Sequence, residues 1–223
     1  MSITTIVGPM FSGKTTELIR RIDRHRISGK RCVIIKHTID TRFDGEGEQP
    51  PNRYKVVTHS EVCYAKCTVI QAAVLGEDLA RALLERYDVI GIDEGFFFRA
   101  TIVPFSTRLA NEGAHVIIST INTSYQQKLF PEIGELMGCS ENVIQLSAIC
   151  MRCKETDGYF TIRISESSSE ILVGGVEDYE AVCRGCLNTF NRDHAIEAPL
   201  SQPLSASGFI GQWTHPYFVL LWY

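Results

Sequence analysis

Gly8-Pro9-Met10-Phe11-Ser12-Gly13-Lys14-Thr15 has the spacing G-x-x-x-x-G-K-[ST], preceded by the apolar, β-branched run Ile3 to Val7 and followed by a helical pattern from Thr15 to Arg26. A strand entering a helix through such a loop lets backbone N–H groups converge on a polyphosphate, where the helix dipole favours negative charge. Gly8 and Gly13 leave room for that approach, Lys14 would lie against the terminal phosphates, and the Thr15 hydroxyl would reach Mg²⁺. The second chemical element is Val89-Ile90-Gly91-Ile92-Asp93-Glu94-Gly95, an apolar run that ends in two carboxylates, as a Walker B strand does. Asp93 would reach Mg²⁺ through water, and Glu94 could accept a proton from an attacking hydroxyl. Phe96-Phe97-Phe98 then set three rings beside the acids, for which the alternatives are stacking on a flat base and packing in the core.

Cys150-Met151-Arg152-Cys153 and Cys183-Arg184-Gly185-Cys186 form two C-x2-C knuckles, the paired ligands of a tetrahedral zinc site. Four thiolates leave no position open for water, so this zinc would be structural. The interval from Lys154 to Val182 is longer than the ~15 to 20 residues of the usual form. Within it, Tyr159 to Ile164 and Glu170 to Val173 read as the arms of a hairpin-like loop, Gly174-Gly175 as its bend, and Asp178-Tyr179 as the approach to the second knuckle. A loop braced at its base by a metal can close over a substrate, exclude water and offer main-chain hydrogen bonds.

The elements that must hold these groups follow from periodicity. After the first helix, Ser28-Gly29-Lys30 is a break and Arg31 to Lys36 reads as a second buried strand, giving β-α-β with a right-handed crossover and a parallel pair. Asp40 and Arg42 follow at the carboxyl end of that strand, where ligands of open α/β sheets sit; Arg42 either contacts the transferring phosphate or pairs with Asp40. Gly45 to Arg53 is a polar loop, and Cys63 and Cys67 read as free thiols. Gly76 to Tyr87 is a packing helix with acids in its first turn, and Thr101 to Asn111 a second, ending at Gly113. Ala114 to Thr120 is a further buried strand, with His115 structural, and Asn142 to Ser147 closes the sheet. From Ile121 to Lys128 a polar loop leaves the carboxyl end of its strand toward the same ligand side.

The bulk properties narrow the partners. The chain has 223 residues, 44% hydrophobic and 22% charged, with net charge −4, so no global basic field favours duplex nucleic acid. The knuckle interval carries two basic side chains, Lys154 and Arg163, against seven acids, which argues against a nucleic-acid-binding ATPase whose ribbon grips a strand. No run nears the ~18 apolar residues of a membrane span, and no secretory leader pattern opens the sequence; a cytoplasmic location with reduced thiols is expected. The apolar end Tyr217 to Tyr223 packs as an added strand, joins a partner or is dispensable.

In this order and at these intervals, residues 8–21 (GPMFSGKTTELIRR), 35–43 (IKHTIDTRF), 89–98 (VIGIDEGFFF), 148–153 (AICMRC) and 173–186 (VGGVEDYEAVCRGC) resemble type II (cytosolic) thymidine kinase across roughly residues 2–192. The resemblance implies an α/β fold with a P-loop NTPase-like parallel sheet flanked by helices over 1–148, a small zinc-ribbon domain with a lasso loop over 149–192, and a tail over 193–223. It also implies ATP-dependent phosphorylation of the thymidine 5′-hydroxyl, possible use of deoxyuridine, and a homotetramer with ATP, Mg²⁺ and structural Zn²⁺. Carried over by motif, Glu94 is the general base. The loop Gly8, Pro9, Met10, Phe11, Ser12, Gly13, Lys14 and Thr15, with Asp40, Arg42 and Asp93, holds the phosphates and magnesium. Met10, Phe97, Tyr125, Thr161, Tyr179 and the segment Glu170, Ile171, Leu172, Val173, Gly174 surround the thymine. Departures are Phe96 where the family usually has Gln, and Ile121-Asn122-Thr123-Ser124-Tyr125 where it has Leu-Asp-Gly-Thr-Phe. A catalytically impaired homologue acting as a nucleotide-binding regulator is the further alternative.

Overall fold

The structure is a computed structural model that describes residues 1–39, 67–165 and 174–194, and the backbone of 56–57 and 63–64. The expected loop at Gly45 to Arg53 and the tail from 195 onward lie outside the described residues.

Six parallel strands make the main sheet: β1 (Ser2–Val7), β2 (Cys32–His37), β5 (Thr68–Ala72), β6 (Val89–Ile92), β7 (His115–Thr120) and β8 (Asn142–Gln145). Their order is β5-β2-β6-β7-β1-β8. The short antiparallel pair β3 (Val56–Val57) and β4 (Cys63–Tyr64) stands apart from it. Both faces of a parallel sheet are covered, which is why the inner strands are apolar on both sides. Ile6, Ile34, Val89 and Ile117 point to one face and meet Leu18 and Ile22 of α1 (Lys14–Ile27). Ile3, Val7, Ile35, Ile92 and Ile118 point to the other, against α2 (Glu77–Leu84), α3 (Ile102–Asn111) and α4 (Pro131–Gly138). Each fully buried Ile or Leu contributes roughly 1.5–3 kcal/mol, and truncating one such as Ile34 to Ala costs about 2–5 kcal/mol.

Registers set the height of the site. Val7 pairs Thr120, Ile92 pairs Ile118 and Ile35 pairs Ile92, so β1, β7, β6 and β2 end at nearly one level. The strand between the P-loop strand and the acidic strand is β7, which therefore supplies a wall of the site.

The remainder is a small ribbon with its own core of Cys150, Ile162, Val182, Leu187 and Phe190. β9 (Ala148–Ile149) pairs β10 (Asp157–Gly158), and β11 (Phe160–Arg163) pairs β12 (Tyr179–Val182), both antiparallel. The first expected hairpin arm is thus β11, but its partner is β12, because the register Arg163 opposite Tyr179 and Phe160 opposite Val182 brings the knuckles together. The second expected arm, Glu170 to Val173, lies outside the described residues. Helix α5 (Arg184–Asp193) starts inside the second knuckle, with the Cys183 sulfur capping it by accepting from the Cys186 N–H.

Candidate active site and metal centre

The turn between β1 and α1 has the shape the motif requires. Phe11 and Gly13 adopt left-handed backbone (φ 64° and 79°), which curls successive N–H groups into an anion-binding nest. A side chain at Gly8 would place its Cβ 2.6 Å from the Leu146 carbonyl oxygen, so only glycine fits where the loop passes β8. Lys14, 8% exposed, donates to the Pro9 carbonyl at 2.6 Å and so lies folded along the loop it would serve. Ser12 donates to the same carbonyl at 2.9 Å.

Asp93 follows the end of β6, 4% exposed, with its N–H donating to the Ile35 carbonyl of β2. Its carboxylate accepts from the Thr15 hydroxyl at 3.1 Å and from the Ser119 hydroxyl of β7. A buried carboxylate costs several kcal/mol unless hydrogen-bonded, and these two hydroxyls offset that cost. Thr15 and Asp93 present hard oxygens to one point beside the phosphate nest, the donor set that suits Mg²⁺. Ser119 was not legible as a site residue; its signal is its place at the carboxyl end of a strand flanking the P-loop strand.

Glu94 turns out of the strand in left-handed backbone (φ 49°, ψ 50°), a conformation that costs a non-glycine residue energy and clusters at functional sites. The three following rings divide. Phe98 is core; Phe96 packs on Phe97 (4.0 Å between ring centroids) and Phe130 (5.9 Å); Phe97, half-buried, also meets His37 at 5.5 Å. Phe97, whose N–H donates to the Glu94 carbonyl, is the ring of the three that stays out of the main apolar core.

The ribbon reaches this site. The Met10 N–H, inside the phosphate loop, donates to Thr161 Oγ1 on β11 at 3.0 Å. Two residues on, Arg163 is 6% exposed, its guanidinium carbon 4.0 Å from the Tyr125 ring centroid and one of its N–H groups donating to Tyr179 Oη at 2.7 Å. Thr161, Tyr125, Tyr179 and Met10 are thus brought together, with Arg163 as a member that sequence reasoning missed. Gly174 is buried and closes on Asp178, and the Tyr179 N–H returns to the Gly175 carbonyl at 3.1 Å. Asp40, Arg42, Glu170, Ile171, Leu172 and Val173 lie outside the described residues.

Cys150, Cys153, Cys183 and Cys186 bring their sulfurs within 4.8 Å of one another, with Cys153 and Cys183 4.0 Å apart. Zinc–sulfur bonds of ~2.3 Å in a tetrahedron need sulfurs about 3.8 Å apart, so the quartet fits that ion. The donor chemistry agrees. Burial pushes the Cys150 thiol up, but N–H donation from Cys183, Cys153 and Arg152 outweighs it and holds the group at about 6. Cys183 is lowered by the Cys186 N–H, while Cys186 is pushed up to about 12 by its hydrogen bond to Cys183 and by burial. Four thiolates at such spacing need a cation to balance them. Cys67, by contrast, is pushed up to about 12 by burial and behaves as an inert thiol; the Cys63 side chain lies outside the described residues.

Among the described residues no helix is long and apolar enough to cross a membrane. A thymidine kinase family model matches residues 1–187. A thymidine kinase of Acanthamoeba polyphaga mimivirus is 50% identical over 203 residues, 91% of this chain and 88% of the relative. Thymidine kinase 1 of Dictyostelium discoideum is 38% identical over 220 residues, 92% of this chain and 91% of the relative. A variola virus thymidine kinase is 37% identical over 185 residues, 82% and 95% of the two chains. The phosphate nest, the acidic strand tip and the sulfur quartet all fall within the matched span or at its edge, and the chain belongs to the thymidine kinase family.

Proposed function

We infer that this protein is a thymidine kinase that moves the γ-phosphoryl group of ATP to the 5′-hydroxyl of thymidine, and of deoxyuridine where the base pocket admits it. The observation that carries this is the meeting of three sequence-distant parts: Thr15 on Asp93, and Met10 on Thr161. The first pair belongs to a phosphate and magnesium site, the second joins that site to the ribbon that would carry the base pocket.

Phosphoryl transfer asks the protein for position and for electrostatic stabilisation more than for covalent chemistry. The nest Gly8 to Thr15 would cradle the β- and γ-phosphates, with Lys14 swinging from the Pro9 carbonyl to the terminal oxygens. Thr15 and Asp93 would hold Mg²⁺, which would supply positive charge to offset that of the phosphoryl group in transfer. Glu94 would accept the 5′-hydroxyl proton, with Asp40 and Arg42, which follow β2 in the sequence, completing the phosphate group. Phe97, Tyr125, Tyr179, Thr161 and Gly174, with the segment Glu170 to Val173, would enclose the thymine. The four cysteines would bind Zn²⁺ as a structural brace.

The reading extends to a P-loop domain over 1–148, a lasso domain over 149–192 and a tail over 193–223, in a cytoplasmic homotetramer; family resemblance supports these. The test is an assay of purified protein with ATP, Mg²⁺ and a panel of nucleosides. Thymidine monophosphate formation is expected. ATP binding with no monophosphate from any nucleoside would favour the impaired, regulatory alternative instead.

A further inference from the structure

We propose that Arg163 is a positioning residue of the base pocket, clamping Tyr125 of the P-loop body to Tyr179 of the ribbon. The proposal rests on the thymidine kinase reading above and goes beyond it to a residue that reading does not use.

Alternation along β11 separates its side chains. Ile162 is buried in the ribbon core with Val182 and Leu187, so Thr161 and Arg163, two apart, share the opposite face. Thr161 uses that face to accept from the Met10 N–H of the phosphate loop. Arg163 uses it to reach Tyr125, in the loop that leaves β7, with its guanidinium carbon 4.0 Å from the ring centroid. Cross-strand pairing sets Arg163 opposite Tyr179, where it donates to Oη at 2.7 Å and lies 5.2 Å from that ring's centroid.

A cation buried to 6% exposure is expensive unless it is compensated. Among the described residues, two electron-rich ring faces and a hydroxyl contribute to that compensation, which restrains both rings. The guanidinium alone combines a plane that stacks with a fork of donors; a lysine ammonium does neither at once. Two aromatic walls that belong to different units are therefore fixed relative to each other before a base arrives, and pre-organised walls lower the ordering cost of binding. Neither Thr161 nor the metal quartet supplies this link to Tyr125.

The test compares Arg163→Lys and Arg163→Met with the unmodified protein, all zinc-loaded. The expected result is a rise of about tenfold in KM for thymidine in both variants, with KM for ATP and zinc content nearly unchanged, kcat within about threefold, and the melting temperature nearly unchanged in Arg163→Met, which buries no charge. In a Tyr125→Leu background the Arg163→Lys change should raise KM no further, since the residue acts through that ring. An unchanged KM for thymidine in Arg163→Met overturns the proposal. So does an equal loss toward ATP and thymidine accompanied by zinc release, which marks a merely structural arginine. If the unmodified protein does not turn thymidine over, the kinase reading fails on its own; calorimetric thymidine binding then reads the clamp, and equal affinity in Arg163→Met overturns it.

Discussion

The Met10 N–H donates to Thr161 Oγ1 at 3.0 Å, so strand β11 of the cysteine ribbon props the phosphate loop. One end of this bond lies in the phosphate loop and the other on β11, so the ribbon is in direct contact with the loop proposed to hold the nucleotide.

Removing that acceptor leaves a part-buried N–H without its partner, a cost of about 1–2 kcal/mol, or roughly 5- to 30-fold in an equilibrium or rate ratio. Thr161→Val is expected to lower kcat/KM by that factor, and Thr161→Ser, which restores the oxygen, to recover most of it. Steady-state kinetics of the two variants check this; equal values for Val and Ser would remove the bond from the account.

Glu94 sits at the tip of β6, one residue beyond Asp93, in left-handed backbone. General-base catalysis is worth about 10²- to 10⁴-fold, so Glu94→Gln is expected to lower kcat by that range while ATP binding persists. Single-turnover measurement with pre-bound ATP separates the two, and turnover unchanged in the variant would take the base role from Glu94.

The sequence made the phosphate loop, β2, β6 and β7 legible because each is a short apolar run tied to a motif or a break. What it hid has physical reasons. β5 (Thr68–Ala72) is an edge strand with one buried residue, Val69, so it shows no continuous apolar run. α4 holds Gly134 and Gly138 within eight residues, which masks its period; Pro131 at its first turn was the readable signal. α5 opens inside the second knuckle, where ligand spacing drew the reading away from helix capping. Arg163 looked like one of two basic residues in an acidic ribbon, and only the register opposite Tyr179 gives it a role. The positive φ of Glu94 leaves no mark on residue type at all.

The sulfur quartet predicts one metal per chain. Cys150 is fully buried in a core of Ile162, Val182, Leu187 and Phe190, so an ion held there would brace the only apolar cluster the ribbon has among the described residues. Structural zinc carries much of the folding energy of such small units. Cys150→Ser is expected to drop zinc stoichiometry from one to near zero by elemental analysis and to raise KM for thymidine as β11 loosens. Full metal content in the variant would place the ion elsewhere.

His25 and His115 stack with ring centroids 5.3 Å apart, His115 sharing a hydrogen bond with Ser2 Oγ at 3.1 Å. Burial lowers both imidazoles, and the positive charge of Arg24, Lys30 and Arg21 near His25, and of the Met1 amino group, His25 and Lys30 near His115, lowers them further. Unfolded histidine titrates near 6.5, so below that pH the unfolded chain binds more protons than the folded one. Stability is therefore fully present above about pH 6.5 and falls as pH drops through that value toward the lower folded values. Urea midpoints measured at pH 7.5, 6.5 and 5.5 should decline in the unmodified protein and decline less in a His25→Gln, His115→Gln double variant. Equal slopes in the two proteins would assign the acid sensitivity to other groups, with Asp88, held at about 2 by Arg31, titrating too low to account for it in this window.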